Sequence, residues 1–495
     1  MAVYVRRSIW GLETPTPWDP VTTGYAQAVA AMRKRPATDP TSWAYQAAMH
    51  GSYAAPPPGA TWNQCQHGTW YFLPWHRMYL YWFERIVRKA AVAAGAPQTW
   101  ALPYWNYSAG APTNQLPPAF RLKTWTPPGG NAPQPNPLYT VERNHNPDIN
   151  GGAGLPHRVT SFALAYSFTN FTGSPYPGFG GPVTGFSHDS GTFGALENQP
   201  HNPVHVMVGG DATFTDCSRG WMADPNCAAQ DPIFWLHHAN IDRLWSNWIA
   251  LGGGRMDPND RRWQTFDFTF WDENGTKQVM KPADVMDTIR QLGYKYDDRS
   301  APAIVRARFA MLSTPQPPEP PEPPRLVAAT EAPAELSGGR TDVAVELPQP
   351  AREAVASAIQ PGNGHLYLHV DGLDSDLIPG VAYEVHVNLP EGADLEEEGE
   401  DSLVGLISFF GFRRDKQATE DNPNHPIGPI GHTFDITGRV QELRSSGQWD
   451  EGRVVVSFVP VGLEPPPGTE GTAHDARTEA KPSVGRVSIS FHPAA

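Results

Sequence analysis

The sequence predicts a multidomain chain: a mainly α-helical domain, an antiparallel helix bundle with long loops, followed by an all-β sandwich or barrel. Three observations carry this. Sixteen of the 17 tryptophans precede residue 272, and only Trp449 follows. Residues 315–324, PQPPEPPEPP, hold seven prolines and should form a stiff, extended spacer. Beyond residue 341 apolar residues alternate or run in short blocks between Gly, Pro and Asp turns. The expected divisions are 1–312, a Pro/Glu-rich linker at 313–340, and 341–495.

In the first part, helices are expected at 20–34, 41–50, 74–94, 203–209, 232–250 and 282–292. Pro74 and Pro203 mark helix starts, because proline fits a first turn and breaks an interior. Residues 107–200 have little periodicity and many turn residues, and are read as loops walling a site rather than as a packed element. In the second part, HLYLHVDGL, VAYEVHVNL, SLVGLISFFGF, GHTFDITG, GRVVVSFVPVG and VGRVSISFHP read as strands. The acidic EGADLEEEGED and the segment RDKQATEDNPNHPIGP read as exposed loops.

Composition narrows the partners. A net charge of −14 makes nucleic acid and acidic membrane surfaces poor ones. No signal peptide or membrane span is evident, so a cytoplasmic protein is the default, with helper-dependent export left open. Three cysteines do not make a disulfide scaffold. Cys217 and Cys227 either bond or stay reduced.

The chemistry concentrates in histidines. His67 and His76 lie nine residues apart around Pro74. Nine residues turn a helix by about half a revolution, so the two rings cannot share a face of one continuous helix. A loop carrying His67, then a helix carrying His76, lets both converge. His201 and His205 are i,i+4 and share a helical face. His237 and His238 follow in DPIFWLHHANIDRLW, and His50 ends TSWAYQAAMH. Two groups of three imidazoles suit Cu, Zn, Fe or Ni. The lack of Asp or Glu at ligand spacing points away from a carboxylate-bridged di-iron bundle. His145, His157, His188 and the histidines after residue 312 read as structural or surface groups.

Two signatures carry a resemblance. His67, Phe72, Trp75, His76, Arg77, Leu80 and Glu84 fit H-x4-F-x-x-W-H-R-x2-L-x3-E. Asp231, Pro232, Phe234, His238 and Asp242 fit D-P-x-F-x3-H-x3-D. The chain resembles the tyrosinase family of type-3 copper proteins: tyrosinases, catechol oxidases, o-aminophenol oxidases and molluscan hemocyanins. The resemblance is close over roughly residues 40–250. The later strands look like the C-terminal β-domain of plant polyphenol oxidases and hemocyanin units.

The resemblance implies two copper ions. His50, His67 and His76 would hold one; His201, His205 and His238 would hold the other. Periodicity leaves His237 and His238 equivalent, and the family pattern selects His238. Three neutral imidazoles per ion leave positions open and limit the penalty of reduction to Cu(I). Cys65, two before His67, matches relatives in which a thioether joins such a cysteine to the histidine. Asp242 either positions its helix or a ligand, or pairs with Arg243 or Arg77.

By the same resemblance, Glu197 and Asn202 hold a water that takes a phenol proton; the alternatives are a helix N-terminal carboxylate and an N-cap. Val206 walls the substrate pocket. Pro225 stands where many plant enzymes have phenylalanine, so their size-based substrate rules do not transfer. Phe410 or Phe412 would plug the site from the β-domain. The implied function is O2-dependent ortho-hydroxylation of monophenols and oxidation of o-diphenols to o-quinones, latent until a protease removes the C-terminal part. The alternatives are an o-aminophenol or catechol oxidase without monophenolase activity, and a hemocyanin-like O2 carrier.

Overall fold

The computed structural model describes residues 3–12, 17–185, 192–210, 217, 219–298, 324–336, 338–360, 363–393, 395, 402–411, 430–462 and 480–493. Five helices frame the first domain: α1 Pro20–Arg33, α2 Trp43–His50, α3 Phe72–Ala93, α4 Asn202–Gly209 and α5 Pro232–Ala250. Their starts are written locally. Asp19 accepts the Val21 amide at 2.7 Å, Ser42 accepts that of Tyr45 at 3.0 Å, and Asp231 accepts that of Ile233 at 3.0 Å. Proline occupies the first turn of α1, α4 and α5. Arg143 grips the cap residue Asp231 at 2.5 and 2.8 Å.

Many of the tryptophans and tyrosines of this domain are buried among these helices. Phe83 on α3 stacks on Trp235 of α5, and Trp43 of α2 meets both edge-on. Each such aromatic removes about 150–250 Å² from water, and that burial is what holds helices joined by such long loops.

The described residues of 107–200 are largely irregular, as expected, but they are packed. Leu116, Phe120, Leu138, Ile149, Leu155, Phe171 and Phe179 are all buried in the same core. Phe179 stacks on Trp248 of α5 with centroids 4.2 Å apart. The expected helix at 282–292 is absent: only Pro282–Asp284 makes a short helical turn. The Asp284 carboxylate accepts the Lys281 amide, and Asp287 accepts those of Ile289 and Arg290. These local side-chain bonds compete with helix propagation.

Two short strands tie the ends of this domain together. β1 (Tyr4–Arg6) pairs in parallel with β2 (Tyr294–Tyr296). They carry Arg6 into a buried network in which it reaches Glu84 at 2.6 Å and Asp242 at 3.2 Å.

The C-terminal strands are β3 Arg325–Ala329, β4 Ala334–Glu335, β5 Thr341–Glu346, β6 Gly364–Asp374, β7 Ala382–Val387, β8 Leu403–Ile407, β9 Ile430–Asp435, β10 Arg453–Val461 and β11 Ser483–Pro493. They form two antiparallel sheets. One has the order β9-β6-β11-β3 with β4 also on β11; the other has β8-β7-β10-β5. Their inner residues, among them Leu366, Leu368, Val385, Val454, Val456 and Ile489, share one apolar cluster. Each of the six expected segments contains a strand, although SLVGLISFFGF is a strand only over Leu403–Ile407 and GHTFDITG only to Asp435. β3 and β4 fall inside 313–340, expected to be spacer, because Arg325–Ala329 pairs along β11. Residues 313–323 lie outside the described residues. β5, a helix α6 at Gln349–Ala358 and a helix α7 at Thr437–Ser445 were not expected.

Candidate metal centre

Each expected ligand is delivered by a different local device. His50 is the last residue of α2. His67 sits on the loop before α3, and His76 in its second turn. Before α4, the irregular turn Glu197–His201 is broken at Gln199, whose φ of −155° and ψ of 123° are extended. His201 therefore ends that turn, and His205 lies one turn into α4. His238 lies on α5.

These elements bring all six rings into one buried cluster. Ring centroids of His50, His67 and His76 are 5.1, 5.6 and 5.4 Å apart. Those of His201, His205 and His238 are 4.5, 4.9 and 5.4 Å apart. The groups abut: His76 stacks on His238 at 4.3 Å, and His67 lies 5.8 Å from His201. By donor atoms the division is less clean. His50 and His76 close on His238, and His67 groups with His50 and Cys65. Phe72 and Phe234, both in the signatures, pack against His76, His201, His50 and His238.

Hydrogen bonds fix the protons. The Nδ1 atoms of His50, His76 and His205 lie 2.8, 2.8 and 2.7 Å from the carbonyls of Pro225, Phe72 and Met222. His201 Nδ1 lies 2.7 Å from Asn202 Oδ1. Oxygens of this kind only accept, so each Nδ1 carries the proton and each Nε2 keeps its lone pair. Burial pushes His76 down to about 3, and holds His201, His205 and His238 well below the usual imidazole range, helped by their mutual proximity. Burial thus favours the neutral form of these four rings.

This donor set fits a metal. His76 Nε2 is buried and has no hydrogen-bond partner. His238 Nε2 lies 3.4 Å from His201 Nε2 and 3.3 Å from His205 Nε2. Lone pairs crowded at that distance away from water are costly unless a cation sits among them.

His237 was equivalent to His238 by periodicity, and the structure brings it in as well. It is fully buried, its ring 4.6 Å from His205 and 5.2 Å from His201, stacked on Tyr107 at 5.5 Å. By donor atoms His237 groups with His201, His205 and His238, all within 4.8 Å of one another, while His238 Nε2 comes closer, at 3.4 and 3.3 Å from the Nε2 atoms of His201 and His205.

The remaining expected residues surround the cluster. Glu197 is fully buried, and both of its carboxylate oxygens accept the Gly68 amide, at 3.0 and 3.1 Å. Burial pushes its carboxyl well up, against that one amide. Asn202 Nδ2 is buried with no hydrogen-bond partner. Val206 is fully buried. The backbone carbonyl of Pro225 is what contacts His50. Cys65 is a buried free thiol whose Sγ lies 3.6 Å from His67 Nδ1. Cys217 and Cys227 are bonded. Asp242 pairs with Arg77 at 2.5 Å, while Arg243 turns to Asn240 and Asp298. Phe410 stacks on His205, and Phe412 lies outside the described residues. The carbonyls of Met222 and Pro225 were not legible in sequence, because backbone atoms leave no residue-type signal.

Among the described residues no helix is long and apolar enough to cross a membrane. The common central domain of tyrosinase matches residues 40–251, the polyphenol oxidase middle domain residues 257–308, and a domain of unknown function residues 323–490. A tyrosinase of Hahella sp. (strain CCB-MM4) is 34% identical over 95% of this chain and 97% of its own length. The latent chloroplastic polyphenol oxidase of Prunus armeniaca is 35% identical over 56% of this chain, which spans 46% of it. The solved structure of latent apple tyrosinase superposes with a TM-score of 0.61 at 23% identity, over 99% of this chain and 98% of that one, a likeness of fold. With a buried cluster of neutral imidazoles suited to two copper ions, the chain belongs to the tyrosinase family of type-3 copper oxidoreductases.

Proposed function

We propose that the protein is a latent phenol oxidase that ortho-hydroxylates monophenols and oxidises o-diphenols to o-quinones with O2. The convergence of six buried imidazoles, four of them with Nδ1 bound to an oxygen acceptor so that Nε2 keeps its lone pair, carries this reading. His50, His67 and His76 hold one copper ion; His201, His205 and His238 hold the other. Bound there, the copper pair supplies the redox chemistry with O2.

The chain supplies the rest. The Nδ1 donations orient the rings and keep them neutral, which limits the penalty of accepting reduced copper. Val206 offers an apolar wall for an aromatic ring. Glu197 is the buried acceptor and Asn202 Nδ2 the buried donor that flank a water able to take the phenol proton, and this pair favours monophenolase activity. A thioether between Cys65 and the His67 ring would tether the loop ligand; the free thiol stands beside that ring, its Sγ 3.6 Å from Nδ1.

The β-domain is the lid. Phe409 and Phe410 lie just past the end of β8, where the chain turns, and their rings go to different places. Phe409 joins the β-domain core, and Phe410 enters the histidine cluster. The domain division is 1–312, then a spacer ending before Arg325, then the β-domain. The start of the third matched family at residue 323 supports that boundary.

Copper content and turnover of a monophenol, an o-diphenol and an o-aminophenol, before and after cleavage in the spacer, test the proposal. Two coppers per chain and monophenol turnover that rises on cleavage are expected. Reversible oxygenation with negligible diphenol turnover after cleavage would replace it with an O2 carrier.

A further inference from the structure

Two of the four assigned Nδ1 acceptors are local. His76 uses Phe72 in its own helix, and His201 uses its neighbour Asn202. His50 and His205 instead reach out of their helices. For His50 the carbonyl one turn back, that of Gln46, accepts the Tyr79 hydroxyl. Its acceptor is Pro225, 175 positions away in sequence; that of His205 is Met222, 17 away. Both acceptors belong to one short loop, three residues apart, and the Cys217–Cys227 disulfide closes that loop.

The loop is wedged between the two helix ends. A Cβ on Gly51, just after His50, would lie 2.7 Å from the Pro225 carbonyl oxygen. A Cβ on Gly220 would lie 1.9 Å from the carbonyl oxygen of Gly209, the last residue of α4. Glycine is required at both because backbone meets backbone. Tyr53 donates its hydroxyl to Asp224 at 2.7 Å, and Asp224 in turn accepts the Asn226 amide at 3.0 Å.

We infer that the Cys217–Cys227 disulfide is a positioning element for both metal groups: it holds a loop whose two backbone carbonyls orient one histidine of each trio. Resting on the dicopper reading, this makes the two sites share one support. Without the disulfide, Met222 and Pro225 lose their fixed spacing, and His50 and His205 loosen together rather than separately. Removal of such an outer partner typically lowers metal affinity by about 10–100-fold.

The test compares full-length protein with a C217S/C227S variant, both loaded with copper and then challenged with a chelator. Copper per chain is followed in time. The expected result is loss of both ions together, at least about tenfold faster than in the parent. A Val29→Ala variant in the core of α1 controls for a general fall in Tm and should release copper at the parent rate. Tyr53→Phe, at a half-exposed position, keeps the disulfide but removes the hydroxyl that anchors Asp224; it should accelerate release to a smaller extent, and serves if the serine variant does not fold. Parent-like release from the serine and phenylalanine variants, or release no faster than in the α1 control, overturns the inference. A parent protein that never holds two coppers overturns the dicopper reading instead.

Discussion

The ring of Phe410 lies on the imidazole of His205, with centroids 4.4 Å apart and planes 24° from parallel. It also meets His67 and His201 edge-on at 5.7 and 5.5 Å. One side chain of the β-domain thus touches rings of both copper groups, where an aromatic substrate would bind. Phe410→Ala in the intact chain should raise o-diphenol turnover toward that of the cleaved protein. The same rate before and after substitution would remove Phe410 as the plug.

Charged and polar contacts join the two domains. Arg158 of the first domain reaches both oxygens of Glu384 on β7 at 2.8 Å, and His386 and Ser402 extend the network. Asn198, next to Glu197, donates to the Leu406 carbonyl on β8 at 2.9 Å. Breaking a buried ion pair costs about 3–5 kcal/mol, less here because Arg158 is partly exposed. Glu384→Gln should therefore lower the denaturant concentration at which the intact chain becomes active. Unaltered activation would move the latch elsewhere.

Copper stoichiometry separates the two groups. His76→Ala removes a buried imidazole, proposed above as a ligand, whose Nε2 has no hydrogen-bond partner. The variant should bind fewer than two coppers per chain and lose well over about 100-fold in turnover, beyond the cost of an outer-partner change. Full copper retention would refute its role as ligand.

Glu197→Gln keeps the shape and the Gly68 contact but cannot take a proton. Monophenol turnover should fall by about 10²–10⁴-fold, the range of a general-base contribution, while o-diphenol turnover falls far less. Equal losses on both substrates would make Glu197 a structural group.

Asp242 is buried among Arg6, Arg77, Tyr294 and Tyr296. Burial pushes its carboxyl up, but Arg77 and Arg6 outweigh this and hold it below the ordinary value of 3.8. Its contribution to stability is thus present above that pH and is lost as pH falls through the lower, folded-state value. Asp242→Asn should cost about 3–5 kcal/mol at neutral pH and should flatten the acid limb of the stability curve. A neutral-pH Tm within one degree of the parent's would refute this.

Much of this site was legible because the metal chemistry imposes residue types at fixed spacings. His67 and His76 around Pro74, His201 and His205 at i,i+4, and the Asp231–Asp242 signature each announce a local geometry. Side-chain caps and first-turn prolines likewise set the starts of α1, α2, α4 and α5. The helix expected at 282–292 failed because Asp284 and Asp287 bond to nearby amides, a competition that apolar spacing does not register. Strand β3 was missed because its proline-rich approach hid a segment that needs β11 as partner.

By itself the sequence determined the two-part architecture and the elements that carry most of the imidazoles, because propensity, periodicity and capping act over a few residues; which six imidazoles to name came from the two family signatures and the resemblance they carry. Only the tertiary structure decided which histidine faces which, that Phe410 rather than Phe409 enters the cluster, that Asp242 belongs to Arg77 rather than Arg243, and that one disulfide-closed loop serves both groups. Those choices depend on backbone carbonyls and on contacts between segments far apart in the chain, which no local pattern encodes.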